Sequence, residues 1–391
     1  MTTKHALFRV VAPFAVIAIV ASACTSGAST APGSSSGASA PAASTGASAP
    51  AASADAMADL VTAAKAEGTL TTIALPHSWC NYGEVIEGFK AKYGLEVNEL
   101  NPDAGSGDEI EAIKANKDNK GPQAPDVIDV GLSFGPSAKK DGLIQPYKVS
   151  TWDSIPDDAK DAEGYWYGDY YGVLAFEVNK AIVKNVPQDW ADLLDPSHKN
   201  QIALAGDPRV SNQAIQTVYA SSLANGGSLD NAQPGLDFFK KLNDAGNFVP
   251  TIAKPGTIDQ GATPITIRWT YNALAHRDEA AGNTEIDVVV PKTGRFGGVY
   301  VQAISAFAPH PSAAKLWMEY LYSDEGQNLW LKGYCNPIRF EDMAARSAIP
   351  ADILAKLPDT AGAVFPSLDQ LNKATELITK QWDTVVGADV K

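Results

Sequence analysis

From residue 55 onward, short β-rich apolar runs alternate with stretches whose apolar residues recur every three or four positions. That pattern predicts an α/β fold, with parallel or mixed sheets flanked by helices. Leu70 to Leu75 reads as a first strand, leading into a loop of His77, Ser78, Trp79 and Cys80. Val85, Ile86, Phe89 and Tyr93 then share a helical face, which Gly94 ends. Leu95 to Leu100 is a second strand. Ser106 with Glu109 has the form of a capping box, so a helix should open at Ser106 with free backbone N–H groups at its mouth. Asp126 to Gly131 is a third strand, with Leu132, Ser133 and Phe134 after it. A Tyr/Trp-rich segment, Tyr165 to Tyr171, leads into a strand pattern from Gly172 to Val178 that can carry the chain from one lobe to another. Further strands are expected at Gln201–Ala205, Ile265–Trp269, Ile286–Val290 and Val299–Phe307, and helices at Ser211–Leu223, Pro234–Asp244 and Tyr271–Ala281.

The first 54 residues follow other rules. A short cationic stretch with Lys4 and Arg9, an apolar stretch from Val10 to Val20 and the small residues Ala21, Ser22 and Ala23 have the layout of a secretory signal. The apolar stretch is shorter than the roughly 20 residues that span a bilayer. Ala21-Ser-Ala-Cys24 resembles the lipobox of bacterial lipoproteins, which implies that Cys24 is lipidated and anchors the chain to the outer face of the cell membrane. Thr25 to Ala54 holds only Thr, Ser, Gly, Ala and Pro, so it cannot bury enough surface to offset its ordering entropy. It reads as a disordered tether with a reach of roughly 30 Å.

The 391-residue chain carries a formal charge of −14, and loss of the signal removes two cations and no acid. Such a surface repels polyanions, which excludes nucleic acid as a natural partner. With Cys24 given to lipid, Cys80 and Cys335 remain, and in an oxidising compartment an even pair points to a disulfide rather than a metal site. The five histidines are scattered without metal-ligand spacing, so no metal and no cofactor is expected.

The strand Asp126–Gly131 followed by Gly142-Leu-Ile-Gln-Pro-Tyr147, Gly164-Tyr-Trp-Tyr-Gly168 and Val173–Asn179 resembles the extracellular solute-binding proteins of ABC importers. Asp189-Trp-Ala-Asp-Leu193, Ile265-Thr-Ile-Arg-Trp269, Asp287-Val-Val-Val-Pro-Lys292 and Ala313 through Gln327 continue the likeness in order. Within that superfamily the chain is similar to the branch of ferric-ion, polyamine and phosphonate binders. The resemblance implies a two-lobed type II periplasmic-binding-protein-like clamshell with two hinge crossovers, monomeric and not an enzyme. It implies a signal over 1–23, a tether over 24–56, a first lobe from 57–172 with 297–391, and a second from 173–296. A permease and an ATPase are the implied partners.

Ligands of open α/β sheets settle beyond the carboxyl ends of strands, among loops and helix starts. The candidates there are Ser78, Trp79, Tyr82, Ser106, Ser133, Phe134, Asp207, Ser211, Trp269 and Tyr271, with Tyr300 and Gln302 on the returning crossover. Three solutes compete. A polyamine calls for aromatic faces and carboxylates, but Gln302 and Val210 stand where the resemblance expects acids. Chelated ferric ion calls for hard phenolate oxygens, but Trp269-Thr-Tyr-Asn272 holds one tyrosine. A phosphonate or other small oxyanion would use Ser106, Ser211 and the N–H groups at their helix starts. Two further readings are an interaction lipoprotein of the cell surface and a penicillin-recognising serine enzyme. The enzyme would rest on Ser137-Ala-Lys-Lys140 and Lys292-Thr-Gly294, but Gly142 cuts its helix short and no third element appears.

Overall fold

A computed structural model describes residues 54–357 and 361–391. The signal, Cys24 and all but the last three positions of the expected tether lie outside these residues. Those last positions are helical, since the first helix, α1, spans Ala54–Glu67. In chain order there follow β1 (Thr69–Ile73), α2 (Tyr82–Tyr93), β2 (Glu96–Leu100), α3 (Ser106–Ala115), β3 (Val127–Gly131), α4 (Phe134–Lys140), β4 (Ile144–Gln145) and β5 (Tyr167–Asn179). The middle of the chain forms β6 (Ile202–Leu204), α5 (Asn212–Ala224), α6 (Gln233–Asp244), α7 (Pro255–Asp259), β7 (Ile265–Trp269), α8 (Thr270–Glu279), β8 (Ile286–Val289) and β9 (Gly297–Ser305). Last come α9 (Pro311–Leu321), α10 (Asp324–Lys332), β10 (Asn336–Pro337), α11 (Phe340–Ala345), α12 (Ala351–Leu354) and α13 (Leu368–Val385). The α/β pattern is thus realised, with most element ends within two residues of the expected ones. β5 is the exception, because the Tyr/Trp-rich run before Gly172 is already strand.

β1 and β2 pair in parallel. The larger sheet runs β3-β9-β5-β7-β6, with β4 on β9 and with β8 and β10 on β5. The long strand β5 changes neighbours midway. Tyr171 to Val173 lie opposite β9, whereas Leu174 to Val178 lie opposite β7. Where β5 and β9 meet, Gly172 faces Gly298. A Cβ on Gly298 would come within 2.3 Å of the Trp269 ring, and one on Gly172 within 2.5 Å of the Tyr271 ring, so these glycines make room for aromatic side chains.

α13 shows why pattern and packing agree. Leu371, Ala374, Ile378 and Trp382 form its buried stripe. Trp382 packs against Phe239 of α6 and Phe248, and its indole N–H donates to the Ala388 carbonyl at 2.7 Å. α13 therefore sits on α5 and α6, although the expected boundaries group residues 297–391 with the N-terminal elements. Segment 361–367, which leads to it, bridges to the start of β9, with Phe365 edge-on to Tyr171.

Two of the acids buried in the larger sheet face one another. Asp129 lies on β3, and Asp169 falls in the irregularity of the β5–β9 ladder between Gly168 and Tyr171. Asp129 Oδ2 accepts the hydroxyls of Tyr170 at 2.6 Å and Tyr82 at 3.0 Å. The Gln302 amide donates to the Tyr82 oxygen at 2.8 Å and to Asp169 at 3.1 Å. Burial pushes Asp129 up to about 7, against the pull of the tyrosine hydroxyls. Burial, then the charge of Asp129, raises Asp169 well above the usual carboxylate range.

Cys80 and Cys335 are joined as a disulfide, with Cα atoms 5.5 Å apart and both residues fully buried. The bond ties the start of α2 to the turn before β10 across 255 residues of sequence.

Two outcomes follow. Reducing the bond, or replacing both cysteines with serine, should cost about 2–5 kcal/mol, because a long loop is released in the unfolded chain. Unchanged melting in reductant would overturn this. The acid pair binds protons more tightly folded than unfolded, so its contribution to stability is present below about pH 4 and declines as pH rises through about 7. Asp169→Asn should flatten that part of the melting-temperature profile, measured from pH 4 to 8.

Candidate functional site

A cavity of about 240 Å³ opens between two groups of loops. On one side are the loop after β1, the start of α3 and Asp129. On the other are the loop from β6 to α5, the segment before α7, and Arg268, Asn272 and Tyr300. The two sides touch at the rim. The Gly107 N–H donates to the Val210 carbonyl at 3.3 Å, and Lys254 pairs with Asp103 at 2.5 Å. Both members of that ion pair are exposed, so it adds little stability.

The two helix starts facing the cavity differ. The cap of α3 is Gly105 rather than Ser106, and its N–H donates to the Asp108 carboxylate at 2.9 Å. Ser106 Oγ instead accepts the Gly131 N–H at 3.1 Å, and Glu109 turns inward to accept the Asp129 N–H at 2.9 Å. Burial, then the charge of Asp129, lifts Glu109 well above its ordinary value. With Asp108 in its first turn, bound to the cap N–H, α3 already carries negative charge at its positive end.

α5 is bare by comparison. It has no acid in its first turn, and its cap, Ser211, makes no side-chain capping bond. Asn212 is 3% exposed, its Oδ1 accepts from Gln216 at 2.8 Å, and its side chain also interacts with the Tyr300 hydroxyl. Gln213 is engaged differently. Its Oε1 accepts the Trp269 N–H at 2.8 Å and the Asn272 amide at 3.4 Å, which fixes β7 and α8 against the helix start.

Arg268 lies beside this group. Its Nη1 donates to Glu177 Oε2 at 3.1 Å, Glu177 is fully buried, and His276 Nδ1 holds the other oxygen of that carboxylate. For His276, burial favours the neutral ring, but the Glu177 and Asp259 carboxylates outweigh it and raise its pKa.

Six of the sequence-predicted residues line the cavity: Ser78, Trp79, Ser106, Asp207, Ser211 and Tyr300. Trp79 is held there because its indole N–H donates to the Tyr170 hydroxyl at 2.6 Å, and its ring meets Tyr271 and Tyr300 edge-on. The Asp207 carboxylate is bound by Arg209 at 2.8 and 3.0 Å, which turns it toward the protein. Six others do not line it. Trp269 and Tyr271 are buried and stacked on one another, Tyr82 and Gln302 belong to the acid network, and Ser133 and Phe134 sit in the turn that opens α4. Ser137 turns its hydroxyl back to the Phe134 carbonyl, and Thr293 donates to Asp189, so neither enzyme-like motif faces the cavity.

Pattern reading missed Asn212, Arg268 and Lys254. A lone cation in the apolar run Ile265–Trp269 was the available signal, since a buried charge requires a partner.

The family model for bacterial extracellular solute-binding proteins matches residues 123–373. An uncharacterised protein of Haemophilus influenzae is 31% identical over 263 residues, 63% of this chain and 70% of its own. A probable ABC transporter periplasmic-binding protein of Sinorhizobium fredii is 25% identical over 302 residues, 74% of this chain and 80% of its own. The periplasmic binding protein AfuA of Actinobacillus pleuropneumoniae, solved with fructose-6-phosphate, superposes with a TM-score of 0.63 at 22% identity, covering 81% of this chain and 98% of that one. The fold is that of the type II periplasmic binding proteins, and the chain belongs to the bacterial extracellular solute-binding proteins, as the extracytoplasmic substrate-binding component of an ABC import system.

Proposed function

We propose that the solute is a small oxyanion-bearing molecule whose anionic group sits at the start of α5. The observation that carries this is the N-terminus of α5 at the cavity, which has no acid in its first turn and no side-chain cap, with the buried Asn212 beside it. Backbone N–H groups and the helix dipole favour an anion at such a place. The organic phosphate bound by AfuA is of this chemical kind. The polyamine and ferric-ion readings find less support. Gln302 and Tyr271 are buried away from the cavity, and the Tyr170 hydroxyl is committed to Asp129.

Capture closes two lobes about β5 and β9, and the loaded form docks on a permease with its ATPase. We assign β1–β4, α1–α4 and α9–α12 to one lobe. The other comprises α5–α8, β6–β8 and α13, so segment 361–367 makes a third crossing. Cys24, as the lipidated first residue of the mature chain, keeps the body at the membrane, and attachment by lipid needs more than one acyl chain to hold firmly.

Phosphate, methylphosphonate and fructose 6-phosphate should raise the melting temperature of the purified mature protein, whereas spermidine and ferric citrate should not. Asn212→Asp keeps the bond to Gln216 and suits a helix start, so it should fold normally while weakening anion binding at least tenfold in calorimetry. Unchanged affinity in that variant would remove the assignment. In the native host, Cys24→Ala should release the chain from the membrane fraction into the medium, and retention at the wild-type level would exclude the lipid anchor.

A further inference from the structure

Arg268 is a buried guanidinium only half used. Nη1 is taken by Glu177 at 3.1 Å, while Nε is buried without a partner and no protein group among the described residues meets Nη2. Nε–H and Nη2–H form one edge of the planar group, two parallel donors spaced to meet two oxygens of a single anion. A buried donor such as Nε left unmade is costly, and one at the wall of a cavity is explained when a ligand completes it. Arg268 lines the same cavity as Asn212, and its side chain is only 11% exposed.

One ion pair, itself braced from behind, holds the guanidinium in place. Glu177 faces it from β5, and His276 of α8 fixes the second oxygen of Glu177. In the β5–β7 ladder Arg268 lies opposite Ala175 and Glu177 opposite Thr266, so the small Ala175 leaves the guanidinium free to reach diagonally to Glu177. Because Glu177 already offsets the positive charge, an arriving anion meets little net attraction, and affinity depends on matching the free edge.

We propose that Arg268 is the specificity-determining residue of this site. Its Nε/Nη2 edge grips two oxygens of the solute's carboxylate, phosphonate or phosphate group, which selects two-oxygen head groups over monatomic anions. This rests on the oxyanion reading and goes beyond it, since α5 alone would accept any small anion.

The test uses the purified mature protein and calorimetry with inorganic phosphate, methylphosphonate, fructose 6-phosphate, chloride and neutral fructose. Arg268→Lys keeps the charge and loses the edge, and should weaken every two-oxygen anion that binds at least tenfold. A lone Arg268→Gln would orphan the buried Glu177, so the paired change Glu177→Gln with Arg268→Gln serves as the second variant. It should melt within a few degrees of wild type and bind at least thirtyfold more weakly. Chloride at high concentration should not displace the bound anion beyond its ionic-strength effect. If both variants bind within threefold of wild type while Asn212→Asp does not, the role of Arg268 is overturned and the α5 site stands. If wild type binds none of the anions, the oxyanion reading itself falls.

Discussion

The close approach of β5 to β9 at Gly172 and Gly298 is the constraint on which the rest depends. Neither position has space for a Cβ, because the Tyr271 and Trp269 rings occupy it. With Trp269 pressed against one crossover, the alternation of side chains along β7 sends Arg268 to the opposite face. The Trp269 N–H is bound by Gln213, so the start of α5 is drawn to the same point. The cavity wall therefore follows from how tightly two strands can cross.

Much of this was legible beforehand. Helical spacing over Val85 to Tyr93 and the stop at Gly94 fixed α2 closely, since Gly94 takes the left-handed conformation at φ 68°. Ile265–Trp269 was bounded to the residue. Ser106 and Glu109 were harder, because the cap lies one residue earlier and Glu109 is satisfied by the Asp129 backbone, a partner 20 residues distant. For Trp269 and Tyr271, an aromatic at a strand end looks the same in sequence whether it stacks on a solute or on a neighbouring ring. Which one occurs is decided by Gly172 and Gly298, and no local spacing encodes that.

The acids near the cavity divide by partner. Asp207 is bound by Arg209, Asp103 by Lys254 and Asp108 by a backbone N–H, which leaves Glu109 and Asp129 with burial raising both. Burial thus disfavours the charged form of both acids at the cavity wall. An overall negative surface and the proposed oxyanion site are then compatible, because local groups outweigh the distant charge.

Trp79 carries a practical consequence. Among the described residues it is the one tryptophan lining the cavity, and its indole N–H is tied through the Tyr170 hydroxyl to Asp129. The indole is thus placed as a built-in optical gauge, whose emission should respond to the filling of the cavity without any attached dye.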